Sequence, residues 1–481
     1  MSEEPAKVGL AARSSARTDE GLASRLAAAE ILYRVDQESA YADVLLGGRL
    51  PDFAPADRRL ITRLVLGTLA WRGRLDYELA HLTGRKLAGI QPAALAIMRM
   101  GLFQLRFLDR IPGHAVVDTA VSLAKRIPEA RKASGFVNAV MRRATRETAP
   151  MPARERNEKS FLAVAYSHPP WMVERFVDWF GVANAERLMT ANNNAAPNAI
   201  RLNLARGSRA EIVAKLNADS FEIGASGRAP ETIVLNGAPH FESRAYREGL
   251  FHAQSEASQM AVRMLAPRAG ATVVDCAAAP GGKATHLAEL VGERGRVIAV
   301  DLNPGGLKDA RRLARRLRHR NVEYVCADVT AAMPLAPSSF AYLLLDAPCT
   351  GIGTLREHPE IKWRLKPADL ARMAAIQSRM LENAAALVGR GGAIVYSVCS
   401  IAPEEGEGVI DAFLARHGDF EIDRGPAAGE LKDVIDARGF MKTRPDVGGL
   451  DGFFAARLLR KHAGEMARSA SDRHDGSVQG E

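Results

Sequence analysis

Apolar residues recur at every third or fourth position between Leu22 and Arg146, which is the spacing of one buried face of an α-helix. The recurring positions form separate stripes, for example Leu22, Leu26, Ala29, Leu32 and Tyr33, and later Leu95, Met98, Leu102 and Leu105. These stripes predict an all-α domain at residues 21–148. Residues 1–20, which are polar and rich in Ala, Ser and Arg, predict a disordered leader, and the charged, Pro-containing residues 149–160 predict a linker.

The next stretch, residues 161–255, combines a helical pattern with a short alternating one. Residues 172–180 predict a helix, and residues 200–204 alternate as a strand that places Arg201 and Asn203 on one face. We therefore expect a small α+β subdomain that binds RNA. An exposed Arg and Asn pair suits a phosphate or a base edge, although hydrogen bonding within the fold explains the pair equally well.

From residue 256 to residue 463 strand patterns alternate with helical ones, which is typical of a doubly wound α/β domain with a mostly parallel sheet. The pattern predicts seven strands, at residues 272–275, 296–300, 323–326, 342–346, 393–397, 420–422 and 452–457. The fold class is therefore multidomain, with a helical domain, a small α+β subdomain and a Rossmann-like domain. The polar residues 464–481 predict a disordered tail.

Composition excludes several classes of protein. Of the 481 residues 47% are apolar and 25% are charged, and no apolar run approaches the roughly 20 residues that span a bilayer. The N-terminus has no apolar segment of the kind found in secretion signals. The four Cys residues lie far apart without C-x-x-C pairs, which argues against structural zinc and disulfides. We expect a cytoplasmic, reduced, monomeric protein without a metal or a membrane partner.

The formal net charge of +9 is unevenly distributed along the chain. Residues 21–148 hold 20 Lys and Arg against 12 Asp and Glu, which is nearly the whole excess. A basic domain attached to an α/β enzyme domain favours a nucleic-acid partner. Solvated helix surfaces are an equally ordinary reason for a basic surplus.

The most informative stretch, residues 272–283, reads TVVDCAAAPGGK, a short buried strand followed by a loop of small residues and the start of a helix. It lacks the G-x-x-x-x-G-K-[ST] pattern of a P-loop and the G-x-G-x-x-G pattern of a dinucleotide site. Asp301 follows Gly281 by twenty residues at the end of the next strand, where a carboxylate can accept both hydroxyls of a ribose. A nucleoside cofactor without a pyrophosphate fits best, and S-adenosylmethionine is the obvious one.

Two further strands end in cysteines. The fourth strand is followed by Asp346, Ala347, Pro348 and Cys349, and the fifth by Cys399. Parallel neighbours bring both thiols to the edge of the sheet that holds the small-residue loop. We expect His358, Lys362 and Arg364 to make the surroundings of Cys349 electropositive, as reactive thiols require.

A thiolate beside a methyl sulfonium suits one reaction in particular. Cytosine C5 is a poor nucleophile until a thiolate adds to C6, after which C5 attacks the methyl group, a base removes the C5 proton and the thiol leaves. The reaction needs an acid near cytosine N3 or N4, a role that Asp346 could fill, and a second base for elimination. Strand-end position does not decide which of the two thiols adds to C6.

The chain resembles the Sun/Nop family of RNA (cytosine-5) methyltransferases, in particular the branch that carries a NusB-like helical domain and acts on 16S rRNA. The resemblance covers residues 22–461. It is carried by DxxAAPGGK at residues 275–283, DAPCTGxG at 346–353, RxHPEIKWR at 356–364, the Cys-Ser pair at 399–400, GLFHAQSEASQ at 249–259 and DGFFAARL at 451–458. In the helical domain IPGHAVVDTAVSLAK and GFVNAVMRR are similar to the NusB-like part.

The resemblance implies a class I methyltransferase domain and a role for each motif residue. It implies that Cys399 is the nucleophile, that Cys349 assists product release and that Asp328 meets the adenine amine. The implied cofactor contacts are Ala277, Ala278, Ala279, Pro280, Gly281, Gly282, Lys283, Asp301, Asp328 and Asp346. The chain departs from the family at Ala277, Ser255 and Thr350, where Cys, Asp and Ser are usual.

Alternative functions remain at this stage. A DNA cytosine-5 methyltransferase would use Cys349 as the nucleophile, but the chain has no separate recognition insert and Cys399 would then have no role. A tRNA substrate is not distinguished from rRNA by these residues. A non-catalytic RNA-binding protein with an inactive core is disfavoured because both thiols and the acids are present.

Overall fold

The computed structural model describes residues 6–425 and 429–462, with side chains from residue 21 onward. The chain divides into two compact units, here called the helical unit and the catalytic unit. The helical unit ends at Ala195 and also contains Leu355–Arg364, while the catalytic unit holds Ala196–Thr354 and the described chain after Leu365. Element numbers follow the order of the chain.

The helical unit is all-α. Its helices are α1 Ala6–Gln37, α2 Ala42–Arg49, α3 Pro55–Ala70, α4 Arg72–Thr83, α5 Pro92–Phe107, α6 Gly113–Arg126, α7 Ser134–Ala144, α8 Glu158–Ala165, α9 Pro170–Phe180, α10 Val182–Asn192 and α16 Ile361–Arg364. The predicted all-α domain is confirmed, and Leu95, Met98 and Leu102 lie in its core as expected.

Helix α5 is the central element of this core, because α1, α3, α4, α6 and α7 all pack on it. It begins with Pro92 at the position where a missing backbone N–H costs nothing. Arg99 is buried in its middle, and its guanidinium contacts Asp36 and Asp76 at 2.6 Å each. The same two carboxylates also pair with Arg72, so two guanidinium groups and two carboxylates balance one another here.

The boundaries of the helical unit differ from the prediction. Helix α1 begins at Ala6, inside the stretch predicted as a disordered leader, and α8 begins inside the predicted linker with Asn157 as its N-cap. Because α8 packs on α4, residues 161–195 belong to the helical unit and not to the small subdomain. Residues 464–481, predicted as a disordered tail, lie outside the described residues.

Segment Leu355–Arg364 is the unexpected part of the helical unit, since the sequence places it inside the catalytic domain. Lys362 is fully buried, and its Nζ donates to Ala70 O at 2.6 Å, Asn193 Oδ1 at 2.9 Å and Ser167 O at 3.1 Å. Burial lowers the pKa of Lys362 well below its usual value. Nevertheless, three acceptors around one nitrogen require the three N–H groups of an ammonium.

The same segment binds the ends of three helices. Trp363 Nε1 donates to Leu69 O at 2.7 Å near the C-terminus of α3, and Arg364 donates to Val35 O at 2.9 Å near the C-terminus of α1. Glu360 accepts from Ala42 N at 2.9 Å at the N-terminus of α2. Arg364 and Trp363 thus donate to backbone carbonyls at the C-termini of α1 and α3, and the carboxylate of Glu360 accepts from an amide at the N-terminus of α2. Helix dipoles favour a donor or a cation at a C-terminus and an anion at an N-terminus.

The catalytic unit begins with a small antiparallel sheet of strand order β2-β3-β1-β4. Its elements are β1 Asn198–Leu202, α11 Arg209–Ala218, β2 Ile223–Ser226, β3 Thr232–Leu235, α12 Arg244–Arg247 and β4 Phe251–Ala253. The expected α+β subdomain is present. However, Arg201 and Asn203 are both buried, so the interpretation of this pair as an exposed RNA contact is wrong.

The remaining elements form the α/β domain. They are α13 Glu256–Leu265, β5 Thr272–Cys276, α14 Gly282–Val291, β6 Arg296–Asp301, α15 Pro304–Leu317, β7 Val322–Cys326, β8 Phe340–Asp346, α17 Pro367–Ala385, β9 Val388–Val398, α18 Glu407–Arg416, β10 Phe420–Ile422, β11 Met441–Thr443 and β12 Phe453–Arg460.

The large sheet has the order β10-β12-β9-β8-β5-β6-β7, with β11 paired to β12. The strands from β9 to β7 are parallel, and β10, β11 and β12 add antiparallel pairs. All seven predicted strands form, and the three-residue β11 is an additional strand. The parallel strands β5, β6, β8 and β9 direct their C-terminal ends toward one edge, where ligands bind in such sheets.

Candidate active site

The loop between β5 and α14 is tightly packed against its own domain. Ala278 N donates to Val300 O at 2.9 Å, and Ala277 has a positive φ of 65°. Gly281 has φ 106°, and a Cβ there would lie 2.7 Å from the Cα of Ala310 on α15. The glycine is therefore required by the close approach of a neighbouring helix, in addition to leaving room for a ligand.

Asp301 at the end of β6 holds this loop from the side. Its Oδ2 accepts from Ala279 N at 2.9 Å and its Oδ1 accepts from Asn303 N at 2.8 Å. The side chain is partly exposed, so each oxygen keeps a second lone pair that can accept a hydroxyl. The pair of oxygens therefore suits the two hydroxyls of a ribose, and the contact itself stays a prediction.

Asp328 lies one residue beyond Ala327, whose amide bonds Asp301 O at 3.1 Å. Its side chain is exposed and accepts from the amide and the hydroxyl of Thr330 at 2.8 and 2.7 Å. These hydrogen bonds lower the pKa of Asp328. A fixed, ionised acceptor thus lies beside Asp301, where an amine could donate to it.

Lys283 and Asp346 form the charged centre of the site. Lys283 Nζ lies 2.6 Å from Asp346 Oδ2, and Ser397 Oγ donates to Asp346 Oδ1 at 2.8 Å. Burial opposes the charged form of Lys283, but the ion pair with Asp346 outweighs it and raises the pKa of the lysine. Asp346 thus accepts from an ammonium and a hydroxyl, so in these contacts it serves as an acceptor and not as the acid that the sequence predicts.

Asp275, the first residue of the loop motif, does not join this centre. It is fully buried, and neither carboxylate oxygen has a hydrogen-bond partner among the described residues. Burial raises the pKa of Asp275 well above its usual value, with Lys283 opposing the shift. Burial of Asp275 therefore favours its protonated form.

The two thiols meet as the sequence predicts. Cys349 Sγ and Cys399 Sγ are 3.0 Å apart, and both residues are partly exposed. The hydrogen bond to Cys399 is the main reason that the pKa of Cys349 is raised well above its usual value, and burial adds to it. Either sulfur can be the donor in this contact.

The cations near Cys349 are not those that the sequence suggests. Lys362 and Arg364 direct their hydrogen bonds to carbonyl groups of the helical unit. The predicted role of these two side chains at Cys349 is therefore wrong. The ammonium that interacts with the thiol pair is that of Lys283. The pKa of Lys283 is raised in part by Cys399.

Two residues without a predicted role at this site support it. Glu405 is fully buried and accepts four hydrogen bonds from residues near both cysteines. Arg201 on β1 donates to Gly282 O at 2.7 Å and to Thr285 Oγ1 at 3.0 Å, so it holds the first turn of α14 below the loop. An acid five positions after Ser400 was the local signal for Glu405.

A metal is not expected from the sequence, and this stays a prediction. Among the described residues, Asp43, His358 and Glu360 in the helical unit bring one potential ligand atom each within 4.8 Å of the others. One oxygen of Glu360 is already used by Ala42 N. None of the three belongs to the thiol site. No described helix is both long and apolar enough to cross a bilayer.

A mostly parallel doubly wound sheet, with an acid at the end of β6 and a small-residue loop after β5, defines a class I methyltransferase. Residues 262–459 match the family described as 16S rRNA methyltransferase RsmB/F, residues 22–146 match the NusB family, and residues 168–242 match the RsmF/B-like ferredoxin-like domain.

Relatives share this whole arrangement. The probable ribosomal RNA small subunit methyltransferase B of Bacillus subtilis (strain 168) is 32% identical over 90% of this chain and 98% of its own length. The ribosomal RNA small subunit methyltransferase B of Vibrio cholerae is 30% identical over 91% of this chain and 98% of its own. The chain belongs to the RsmB/F family of methyltransferases.

Solved structures agree with the fold. The crystal structure of PH0851 superposes with a TM-score of 0.78 at 27% identity, over 90% of this chain and 98% of that one. NSun6 from Pyrococcus horikoshii, solved with SFG, has a TM-score of 0.55 at 20% identity over 61% of this chain and 98% of that one, which supports the fold alone.

Proposed function

We propose that this protein transfers a methyl group from S-adenosylmethionine to carbon 5 of a cytosine in 16S rRNA, through a covalent bond from Cys399 to C6. The observation that carries the proposal is the thiol pair, 3.0 Å apart, on strands adjacent to the Lys283–Asp346 ion pair. The family names of the relatives supply the rRNA substrate.

The proposed cofactor contacts follow from the donors and acceptors of the site. The loop residues Ala277 to Lys283 would line the cofactor, Asp301 would accept the ribose hydroxyls and Asp328 would accept from the adenine amine. Asp346 lies at the same edge. When bound, S-adenosylmethionine supplies an electrophilic methyl group, and the small side chains of the loop leave space for it.

The chemical steps use the polar groups around the thiols. Cys399 adds as a thiolate to C6 while the carboxylate of Asp346 accepts from the N4 amine and orients the ring. C5 then carries the electron density needed to attack the methyl group. In the last stage a base from the solvent takes the C5 proton, the electron pair of that C–H bond restores the C5–C6 double bond, and the C6–S bond breaks. Cys349, whose sulfur lies 3.0 Å from that of Cys399, assists this release by donating its proton to the departing sulfur.

The direct test is transfer of labelled methyl groups from S-adenosylmethionine to 16S rRNA fragments, followed by nucleoside analysis and mapping of the modified position. We expect 5-methylcytidine at a single site. Transfer to tRNA or DNA in place of rRNA would replace the substrate proposal, and cofactor binding without transfer to any nucleic acid would favour a non-catalytic RNA-binding protein.

Replacement of Asp301 with alanine is expected to weaken S-adenosylmethionine binding by about 1.5–3 kcal/mol, because the ribose no longer receives charge-assisted hydrogen bonds. Isothermal titration calorimetry measures the change. Asp309→Ala is the matched control, since Asp309 is a half-exposed acid on α15 that pairs with Arg312. Equal cofactor affinity in Asp301→Ala and wild type would remove Asp301 from the cofactor site.

The basic helical unit is proposed to add RNA affinity. Lys125, Lys132 and Arg142 are exposed on and between α6 and α7, which pack on each other. Replacing all three with glutamine should lower the slope of log affinity against log salt by about one for each phosphate that is no longer neutralised. Filter binding to the 16S fragment over a salt series measures the slope, and cofactor affinity is the internal control.

An unchanged slope would mean that the excess positive charge lies on solvated helix surfaces and does not contact RNA.

Point substitutions are preferable to deleting residues 21–148, because the deletion would remove the helix ends that Leu355–Arg364 binds. A cytoplasmic, monomeric enzyme is part of the same proposal.

A further inference from the structure

The outer side of α15, in the catalytic unit, and the turn that follows this helix carry a concentrated positive charge. Outside residues 21–148 the chain has a formal net charge of only +1, yet residues 304–320 hold seven Lys and Arg against one Asp. Six of these seven cations are exposed, and together they are here called the basic face: Lys308, Arg311, Arg312, Arg315, Arg318 and Arg320. The positive charge of this part of the chain is therefore gathered on one surface.

The basic face is hardly neutralised within the fold. Asp309 pairs with Arg312, and among the described residues the other five cations of the face form no ion pair. Two pairs of cations lie four residues apart on the helix, Lys308 with Arg312 and Arg311 with Arg315. Like charges at this spacing are neighbours on the helix surface and destabilise the helix. A bound anion would remove this repulsion.

The arginines are not required to cap the C-terminus of α15. Carbonyls of the last turn already have donors, because Leu317 O accepts from Asn203 Nδ2 at 2.9 Å and Ala314 O accepts from His319 N at 2.8 Å. Cations also stabilise a helix C-terminus through the helix dipole, but this effect is confined to the last turn. Arg311 lies before that turn, so the dipole does not account for its charge.

The opposite side of α15 packs directly on the loop after β5, which is the proposed cofactor loop. A Cβ at Gly306 would lie 2.6 Å from the Cβ of Ala279, and a Cβ at Gly281 would lie 2.7 Å from the Cα of Ala310. These contacts leave no space between the helix and the loop. The basic face therefore lies one helix diameter, about 10–12 Å, from the cofactor loop.

The C-terminal end of α15 is fixed on the small antiparallel sheet. Arg316 is partly buried, and its Nη1 donates to Tyr246 O and to Phe251 O at 3.0 Å each. Its guanidinium carbon lies 3.8 Å from the centroid of the Tyr246 ring. Arg316 is thus used within the fold and is not part of the basic face. Contacts at both ends of the helix hold the exposed cations in fixed positions.

We propose that the basic face of α15 binds the phosphate backbone of the RNA substrate and positions the RNA beside the cofactor loop. Phosphate oxygens accept charge-assisted hydrogen bonds from guanidinium and ammonium groups, and a polyanion neutralises several cations at once. Lys308 to Arg315 covers about 10 Å along the helix axis, which gives RNA a row of cations and not a single contact. The inference rests on the proposed function for the identity of the RNA.

The double variant Arg311→Gln with Arg315→Gln removes two charges from the face. Gln has nearly the helix propensity of Arg, and the change removes a repelling pair, so the variant should melt at or above the wild-type temperature. The slope of log affinity for the 16S fragment against log salt should become shallower by about 1.4–1.8, since each neutralised phosphate contributes roughly 0.7–0.9. Filter binding over a salt series measures the slope.

The matched control is Arg268→Gln with Arg294→Gln, which also removes two exposed charges from the catalytic unit. These arginines precede β5 and β6, at the edge of the sheet opposite the cofactor loop, and should leave the slope unchanged. Asp309→Asn tests the opposite direction. It removes the acid that pairs with Arg312, so affinity for the same RNA should rise.

Methyl transfer separates RNA binding from chemistry. In the double variant the KM for RNA should rise at least about fivefold while kcat and cofactor affinity keep their wild-type values, because uniform binding energy is lost. A wild-type salt slope, or an equal change in the control, would overturn the proposal and leave the face to solvent or to an acidic protein. A lower kcat at unchanged KM would also overturn it, since the effect would then pass through the cofactor loop. RNA binding through this face without methyl transfer by the wild type would refute the proposed function alone.

Discussion

Replacing Cys399 with alanine is expected to abolish both methyl transfer and the covalent bond to RNA. The thiol that adds to C6 is needed for every later step, so its removal leaves only uncatalysed reaction. The assignment of addition to Cys399 comes from the family resemblance, and the 3.0 Å contact between the two sulfurs places Cys349 where it can act on the same adduct. Labelled methyl transfer and denaturing electrophoresis of the protein with 16S RNA measure both outcomes.

Cys349→Ala is the matched variant, with a different expected result. Addition and methylation proceed, but the step that releases the product is slowed, so a methylated protein–RNA adduct accumulates and survives denaturation. The opposite result would be an adduct that accumulates in Cys399→Ala and is absent in Cys349→Ala. It would make Cys349 the nucleophile and Cys399 the residue that assists release, as in the mechanism of DNA cytosine-5 methyltransferases. A wild-type rate in both variants would exclude covalent catalysis by these thiols.

Lys362→Met is expected to destabilise the helical unit by about 2–4 kcal/mol. Among the described residues the buried ammonium has no carboxylate partner, and it donates to three oxygens, two of them main-chain carbonyls. Methionine fills similar space but leaves these acceptors buried without donors. All four Trp residues of the chain, at positions 71, 171, 179 and 363, belong to the helical unit, so intrinsic fluorescence during urea unfolding reports on it directly.

Lys308→Met is the control for this measurement, because Lys308 is an exposed lysine on α15 of the catalytic unit. Its fluorescence-detected midpoint should equal that of the wild type. A Lys362→Met midpoint equal to the control would mean that the three oxygens find water or other donors. In that case the cation contributes little to the stability of the unit.

Local pattern was sufficient to predict much of this molecule. Strands such as β5 and β8 are continuous apolar runs that end in an acid or small residues. Because such strands alternate with helices along the chain, few sheet topologies are possible. The meeting of Cys349 and Cys399 follows from the same rule, because neighbouring parallel strands end at one edge. The NusB-like helices likewise show their buried faces as regular stripes.

Contacts between residues distant in sequence were not predictable in this way. Lys362 bonds Ala70 across 292 positions, and nothing in the periodicity of either region indicates the pairing. Arg201 looked like an exposed partner of Asn203 because strand alternation fixes a face but not what covers it. Glu405 was missed because a buried acid in a turn resembles a solvated one in sequence.

The two-part construction of the helical unit has a consequence during synthesis on the ribosome. About 160 residues separate Ala195 from Leu355, which at roughly 5–20 residues per second amounts to on the order of 10–30 s of translation. Until Leu355–Arg364 emerges, the carbonyl ends of α1 and α3 have no cationic partner. The nascent N-terminal helices thus complete their fold only when most of the methyltransferase domain has been made, and a ribosome-bound chain arrested before Leu355 should remain sensitive to protease there.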